Sequence, residues 1–313
     1  MGWFKKVSKD TGLMAIRFHG GGASVASISK AAGEKPRVNL LAHYPANSSG
    51  LPLEKLGKEL NAGRYRWANL LAAGEYQLLS VDAPNVPPDE LKTAIRWRLK
   101  DILDFHIDDA TIDVLDVPVD KNVARTHSMY AVAARNQLIE KRQAMFAEAR
   151  IPLTVIDIPE MAQRNISVLM EPEKRGLAML SFDDEGGLLT VTYSGEMYLA
   201  RRIDVPFKQL AEVDEAHRAS VFDRITLELQ RSLDHFDRQY HYIPVSKLVL
   251  APLGNATTAL QEYLATNLYV PVETLQLQDI LDMSKVPELM APDAQQRYFL
   301  TLGAALRHEE KTL

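Results

Sequence analysis

The residues whose types could support chemistry lie in three short segments that contain glycine. Bare glycine backbone can approach a phosphate, and carboxylates are ligands that Mg²⁺ prefers. These residues are Gly20, Gly21, Gly22, Ser181, Asp183, Gly186, Gly187, Gly254 and Asn255. Two interpretations of the two hairpin segments are open: a phosphate-binding site in which Asp183 or Asp184 holds magnesium, or simple hairpin turns. The second is favoured, because isolated glycine clusters and consecutive acids are typical of solvated turns.

The sequence contains no other pattern that predicts catalysis or metal binding. It has no cysteine, which excludes disulfides, thiolate metal sites and a cysteine nucleophile. His217, His235 and His241 fall on or near one predicted helix, but their spacings do not bring them to one helix face. We therefore predict neither catalytic residues nor a metal site.

The composition indicates a globular protein of two lobes. A chain of 313 residues is too long for one ordinary core, and 46% of its residues are apolar and 25% charged. The net charge of -5 argues against a general nucleic-acid binder, which needs a basic face. We expect no nucleic-acid partner.

Hydropathy and the start of the chain predict a cytoplasmic protein. No uncharged apolar stretch approaches the roughly 20 residues that cross a bilayer, and no secretory leader is visible. Trp3 and Phe4 lie beside Lys5, Lys6 and Lys9. This group favours either contact with an anionic membrane surface or a frayed tail with two exposed aromatics. We expect peripheral membrane contact at most.

The most informative feature is a faint internal repeat. Residues 12–18 form an apolar run that leads into glycines 20–22 and a second apolar run at 23–28. Residues 176–182 lead in the same way into Asp183-Asp184-Glu185-Gly186-Gly187 and a run at 188–193. Each copy predicts a β-hairpin with a third strand to follow, at 38–44 and at 197–203.

Helix and strand signals alternate after each hairpin. Leu91, Ile95, Leu99 and Ile102 have helical spacing and predict one buried stripe. Asn136 is positioned to cap the next helix. A long helix is predicted over about 214–242, ended by Pro244. Further strands are predicted at 67–71, 76–81, 112–117, 128–134, 153–158, 247–251 and 271–275, and further helices at 53–60, 137–149 and 295–306. A three-stranded meander followed by alternating helices and strands occurs twice in the sequence. This repetition indicates an α/β protein with antiparallel and parallel strand pairs.

This order of elements resembles the actin-like ATPase superfamily, and several stretches are similar to the PilM and MshI (MSHA-type) group of type IV pilus biogenesis proteins. The stretches that carry the resemblance are Pro84–Leu91 continuing to Ile107, Tyr130–Asn136, Ile151–Asp157, Leu229–Tyr240, Leu248–Ala251 and Leu302–Leu306. The resemblance covers nearly the whole chain. It rests on the order of the elements along the chain and on the residue character of these stretches. It implies a duplicated, two-lobed, actin-like (ribonuclease H-type) fold. The expected division is a first lobe at 1–160 with a small α/β insert at about 84–150, and a second lobe at 161–313.

The resemblance also implies that the nine residues named above are candidates for nucleotide binding at a site between the lobes, and the three loops depart from the family pattern. In the first loop, the apolar residues Leu13–Ile16 occupy the place of the expected acid. In the second loop, the acidic residues 183–185 come between the strand and the glycines. In the third loop, Pro252 and Leu253 stand in place of glycines before Gly254. We therefore expect no bound cofactor and no hydrolysis, with weak ATP and Mg²⁺ binding as the alternative.

The function implied by the resemblance is that of a cytoplasmic adaptor at the inner face of the inner membrane. Such a protein binds the cytoplasmic N-terminal tail of a PilN-like membrane partner, here within about 86–148, and self-association is a further possibility. The alternative function is an active ATPase or kinase-like member of the same superfamily. A type II secretion protein of the GspL type shares the fold, but a membrane helix is expected to follow it.

Overall fold

The structure is a computed structural model that describes residues 13–46, 53–118, 127–210 and 214–307. The strands are β1 Leu13–His19, β2 Gly22–Ser29, β3 Arg37–Pro45, β4 Arg66–Leu70, β5 Tyr76–Asp82, β6 Ala110–Asp116, β7 Ser128–Arg135, β8 Leu153–Asp157, β9 Gly176–Asp183, β10 Gly186–Tyr193, β11 Glu196–Ile203, β12 Val245–Leu250 and β13 Val272–Thr274. The helices are α1 Leu53–Glu59, α2 Leu91–Leu99, α3 Asn136–Glu148, α4 Pro159–Ser167, α5 Phe207–Leu210, α6 Glu215–Gln239, α7 Thr257–Asn267, α8 Leu277–Ile280 and α9 Pro292–Ala305.

Two five-stranded sheets repeat one topology. The first has the order β3-β2-β1-β4-β8, and the second has the order β11-β10-β9-β12-β13. In both, the first three strands form an antiparallel meander and the last two are parallel to the first strand of that meander. The predicted duplicated, actin-like (ribonuclease H-type) α/β fold is confirmed.

The two sheets share one apolar core. Side chains alternate across β9, so Leu177 and Met179 point toward the first sheet, whereas Ala178 and Leu180 point toward α6 and α7. All eight residues of β9 are buried. A strand that is buried on both faces reads as a continuous apolar run, which explains why the hairpin copies were visible in the sequence.

The last helix of each half crosses to the other half. Helix α4 follows the first sheet but packs against β10 and β11, while α9 follows the second sheet and packs against β1 and β2. The two helices cross at Gly303, where an added Cβ would lie 2.2 Å from the carbonyl oxygen of Ala162. The Asn165 amide also donates to the Gly303 carbonyl oxygen at 3.0 Å. At this crossing the backbone of α9 packs directly against the backbone of α4, which joins the two halves.

A third, antiparallel sheet with the order β5-β7-β6 forms a small inserted subdomain. Met129 and Ala131 of β7 face α2, and Tyr130 between them faces the opposite way, as alternation requires. The Tyr130 hydroxyl donates to the Tyr198 carbonyl oxygen (3.3 Å) and accepts from the Ala200 N–H (3.2 Å). It therefore provides hydrogen-bond partners for two backbone groups of the edge strand β11. The predicted insert at about 84–150 leaves out β5, which belongs to this sheet. The lobe division near 160 stays a prediction.

Three local predictions are wrong. Ile102 is 55% exposed, because α2 ends at Leu99 and the helical spacing stops there. Asn136 does not cap α3: it is the first helical residue, and its side chain bonds Thr111 and the Asp108 carbonyl oxygen instead. The long helix α6 ends at Gln239 rather than near 242.

Residues 3–9, on which the prediction of membrane contact rests, lie outside the described residues. Among the residues that the structure describes, no helix combines the length and the apolar character needed to span a membrane.

We predict that Gly303→Val will destabilise the fold, because its side chain would have to displace the backbone of α4. Overpacking of this kind costs about 1–3 kcal/mol, and contact with backbone puts it at the upper end. Chemical denaturation followed by far-UV circular dichroism measures the loss. Gly63→Ala is the control, since its Cβ would meet no atom within 4 Å. Equal stability of the two variants would contradict the proposed role of the crossing.

Candidate functional site

The turns of the two hairpins meet where the halves of the molecule face each other. Gly22 and Gly186 take the same place in the two repeats, each with a positive φ, 140° and 130°. An added Cβ would lie 2.0 Å from the Tyr44 carbonyl oxygen at Gly22, and 2.7 Å from the Ile203 carbonyl oxygen at Gly186. Both glycines are therefore required for close packing of the third strand of each meander.

The remaining glycines divide into two groups. An added Cβ at Gly187 would lie 2.6 Å from the Phe182 ring, so this glycine also serves packing. Gly20 has no atom within 4 Å of an added Cβ, and Gly21 meets only the His19 ring. Among the candidate glycines of the two hairpins, Gly20 and Gly21 leave backbone open to a ligand.

Asp183 is held in a buried ion pair with Arg17. The Arg17 Nη2 lies 2.5 Å from the Asp183 Oδ2, and the two side chains are 10% and 11% exposed. The second carboxylate oxygen, Oδ1, accepts the Glu185 N–H at 2.9 Å. Both oxygens of the best magnesium candidate are therefore bonded within the protein. The sequence contained a signal for this pair that was missed: Arg17 is a single charge inside the apolar strand β1.

Ser181 is part of a buried network centred on Gln163 of α4. The Ser181 hydroxyl donates to the Gln163 Oε1 at 2.5 Å. The Gln163 amide nitrogen donates to the carbonyl oxygens of Met179 (2.9 Å) and Leu188 (3.1 Å), and to the Thr190 hydroxyl (3.0 Å). Ser181 therefore ties β9 to α4, and its hydroxyl is directed away from solvent.

Further polar contacts join the two halves around the ion pair. The Glu185 carboxylate accepts the Ala73 N–H at 2.8 Å. Tyr76 donates to the buried Glu160 carboxylate, which also accepts from the Arg202 Nε at 3.0 Å. Burial, reinforced by the Glu160 charge, raises the pKa of Tyr76 well above its usual value. Several polar groups of the two halves thus bond to one another around the ion pair.

Two histidines lie beside the ion pair at the mouth of this region. The rings of His19 and His43 stack with centroids 5.3 Å apart, and His19 Nε2 lies 3.1 Å from the Ser24 hydroxyl. Burial lowers the pKa of both rings. The neighbouring Arg17 and His43 lower that of His19 further, with Asp184 opposing them, and Arg297 lowers that of His43. The site therefore favours uncharged histidines.

The third glycine-bearing segment lies apart from the ion pair, at the ends of β12 and β13. Gly254 lines an open cavity of about 340 Å³ together with Thr274 and Gln295. Asn255 is exposed in the short 3-10 helix Gly254–Ala256, and Leu253 before it is fully buried. The Thr257 hydroxyl closes the turn by donating to the Gly254 carbonyl oxygen at 2.9 Å.

The residues between the lobes do not fit a magnesium–triphosphate group. Mg²⁺ requires oxygen ligands in near-ideal octahedral geometry, and both oxygens of Asp183 already serve Arg17 and Glu185. Of the other eight candidates, Gly20, Gly21 and Asn255 remain open to a ligand, and Gly254 lies beside the Asp293 carboxylate. Gly22, Ser181, Gly186 and Gly187 have structural roles.

A groove of about 610 Å³ lies between the first half and the inserted subdomain. It runs between α1 and the end of α3, with walls of mixed charge and an apolar floor. Its lining residues are Leu53, Glu54, Lys55, Lys58, Glu59, Met145, Glu148 and Ala149. Such a surface can accept an extended peptide with apolar side chains that insert between charged rims.

Comparisons with known proteins identify the fold. A structure described as a "PilM-PilN type IV pilus biogenesis complex" is similar over 94% of this chain and 97% of the other, with 18% identity and a TM-score of 0.71. The cytoplasmic domain of EpsL, from the type II secretion system of Vibrio cholerae, matches 83% of this chain and 97% of its own at 16% identity and a TM-score of 0.45. A Bacteroides thetaiotaomicron protein described as having an actin-like ATPase fold matches 90% and 96% at 10% identity and 0.49. No protein-family model and no curated protein matches the sequence.

We predict that Arg17→Met will be more destabilising than the double variant Arg17→Met/Asp183→Leu. The single change leaves a buried carboxylate without its partner, which costs about 3–5 kcal/mol, whereas an apolar pair of similar volume is often neutral. Urea denaturation of the four proteins of the cycle measures both effects. A cost of under about 1 kcal/mol for the single variant, typical of an exposed pair, would contradict a buried ion pair at this position.

We also predict that His19 and His43 make the fold sensitive to acid. Because their pKa values are lowered in the folded protein, the unfolded chain binds more protons near pH 6, and stability is lost as the pH falls through the folded pKa values. The double variant His19→Gln/His43→Gln should have a flatter dependence of the denaturation midpoint on pH between about 7.5 and 5. His235→Gln, exposed on α6, is the control. Parallel curves for all three proteins would contradict this prediction.

Proposed function

We propose that this chain is a non-catalytic cytoplasmic adaptor in type IV pilus assembly, located at the inner face of the inner membrane. The observation that carries the proposal is the buried Arg17–Asp183 pair, because it occupies the carboxylate that a magnesium–nucleotide complex would need. The likeness to the PilM-PilN complex over nearly the whole chain supports a role in pilus assembly. Within this group, the sequence resemblance favours the MSHA-type, MshI-like branch.

The proposed partner is a PilN-like membrane protein that contributes its cytoplasmic N-terminal tail. The groove between α1 and α3 is the best candidate for the tail, because its volume of about 610 Å³ is enough for several side chains of an extended peptide and it lies between α1 of the first half and the end of α3. Its rims carry Glu54, Lys55, Lys58, Glu59 and Glu148, and its floor includes the half-buried Met145. An extended tail with apolar anchors and flanking charges of both signs matches these walls.

The tail proposal is tested with a synthetic peptide of the N-terminal cytoplasmic segment of the PilN-like protein from the same organism. Calorimetry should give a dissociation constant of about 1–100 µM. Met145→Glu places a charge on the groove floor and should weaken binding about tenfold or more. Trp97→Ala, on the opposite face of the inserted subdomain, is the matched control. Absence of binding by the unaltered protein at high micromolar peptide would overturn the proposal.

The alternative, an ATPase or kinase-like enzyme, makes a different prediction. If the ion pair excludes magnesium from Asp183, titration with ATP and Mg²⁺ should give no heat of submillimolar binding, and the Asp183→Ala variant should behave the same way. Submillimolar binding that is lost in Asp183→Ala would establish a nucleotide site. A submillimolar affinity corresponds to more than about 4 kcal/mol of binding free energy, which calorimetry detects readily.

A further inference from the structure

One edge of the first sheet gathers exposed cations. Strands β1, β3 and β4 begin at this edge and β2 ends there, because Leu13 is in register with Arg66 and Ser29 with Arg37. Neighbouring strands lie about 4.8 Å apart, so the four strands from β3 to β4 span roughly 15 Å. We call the exposed cationic residues at this end of the sheet the basic edge: Lys30, Lys35, Arg37, Arg64 and Arg66.

The basic edge has a positive excess although the whole chain carries a net charge of -5. Arg37 is paired with Asp282 at 2.5 Å. Within the described part of the chain, Lys30 and Arg64 form no ion pair with a carboxylate. Three acids lie beside the five cations, one in the loop between β2 and β3 and two in the segment that contacts this loop: Glu34, Asp279 and Asp282. The edge therefore attracts an anionic surface.

The chain enters β1 at the same edge, after a segment with two aromatic residues and three lysines. Leu13 is the first described residue, and Lys9 precedes it by four positions. A chain spans at most about 3.5 Å per residue, so Lys9 lies within roughly 14 Å of Leu13. The same reach allows Trp3 and Phe4 to contact a surface that lies against the basic edge. Asp10 is the single acid in residues 1–12.

Aromatic residues and cations in this arrangement match the surface of an anionic bilayer. Tryptophan and phenylalanine bury their rings at the boundary between headgroups and acyl chains, and lysine and arginine are attracted to anionic headgroups. The five cations of the basic edge are spread along the ends of four strands, and the two cavities described above contain none of them. A spread of cations fits an extended plane of charge better than it fits one small ligand.

The groove proposed for the partner's tail opens toward the same edge. Its walls are α1 and the end of α3. Helix α1 is followed by β4, and α3 is followed by β8, and these two parallel strands begin at the end of the sheet that carries the basic edge. A peptide that leaves a membrane in contact with the basic edge therefore reaches the groove without crossing the molecule.

We propose that the basic edge and residues 3–9 together bind an anionic phospholipid bilayer directly. Trp3 and Phe4 insert at the level of the headgroups, while Lys5, Lys6, Lys9 and the cations of the basic edge contact the anionic lipids. Each contribution is weak by itself, and stable binding to a bilayer usually requires two such signals. This inference deepens the proposed function and rests on its placement at the inner membrane, because it identifies the side of the protein that faces the lipid.

Co-sedimentation of the full chain with sucrose-loaded vesicles tests the proposal. Vesicles of phosphatidylcholine with about one third phosphatidylglycerol should bind the protein about tenfold or more tightly than vesicles of phosphatidylcholine alone. Binding should weaken as the salt concentration rises to about 0.5 M, since salt screens the attraction. Two double variants, Trp3→Ala/Phe4→Ala and Lys30→Glu/Arg64→Glu, should each weaken binding to the anionic vesicles about tenfold or more.

Arg98→Glu/Lys100→Glu is the matched control. Both residues are exposed on α2, and within the described part of the chain neither forms an ion pair with a carboxylate. Helix α2 belongs to the subdomain that follows the far end of β4, so the same change of charge is made away from the basic edge and should leave vesicle binding unchanged. Thermal unfolding followed by circular dichroism checks that each variant is folded, and Lys30→Gln/Arg64→Gln provides a milder change that should weaken binding less.

The proposal is overturned if the unaltered protein binds neither kind of vesicle at low salt, or binds both equally. It is also overturned if the control weakens binding as much as Lys30→Glu/Arg64→Glu does, because net charge alone would then explain the binding. The vesicles contain no protein and the peptide titration contains no lipid. Failure of vesicle binding with intact tail binding therefore overturns this inference alone, and the reverse result overturns the proposed partner alone.

Discussion

The crossing of α4 and α9 is the constraint on which the architecture depends. Each half of the chain contributes its last helix to the other half, and the two helices approach so closely at Gly303 that a single methyl group would meet the α4 backbone. The apolar core therefore runs continuously from the first sheet to the second. The hairpin turns face each other beside this shared core, where either a ligand or contacts between the two halves can lie.

In this protein, contacts between lobes occupy that place. Arg17 and Asp183 neutralise each other across the gap, and Glu185 reaches the backbone of Ala73 from the same turn. A buried pair of this kind adds little net stability relative to an apolar pair, but either member alone is costly. The actin-like scaffold is thus retained while the charges in its turns bond to each other. This is the physical basis for proposing an adaptor and not an enzyme.

The inserted subdomain concentrates the surfaces that are available to partners. Its sheet is fixed to the second half through Tyr130, so the subdomain is supported from behind while two grooves face outward. One lies between α1 and α3 and has charges of both signs, and the other lies beside Trp97 and has an uncompensated cation. The two grooves lie on different faces of the subdomain.

The sequence by itself determined the duplicated strand order and most helices, since buried strands appear as continuous apolar runs and amphipathic helices appear as stripes. It did not determine contacts between residues far apart in the chain. Ile102 has helical spacing, but only the structure shows that α2 ends before it. Asn136 has the right type for a cap, but Thr111 and Asp108 engage it from another element. From the sequence, Asp183 was a possible magnesium ligand. Its pairing with Arg17 could not be predicted, because Arg17 lies 166 positions earlier and only the tertiary fold brings the two charges together.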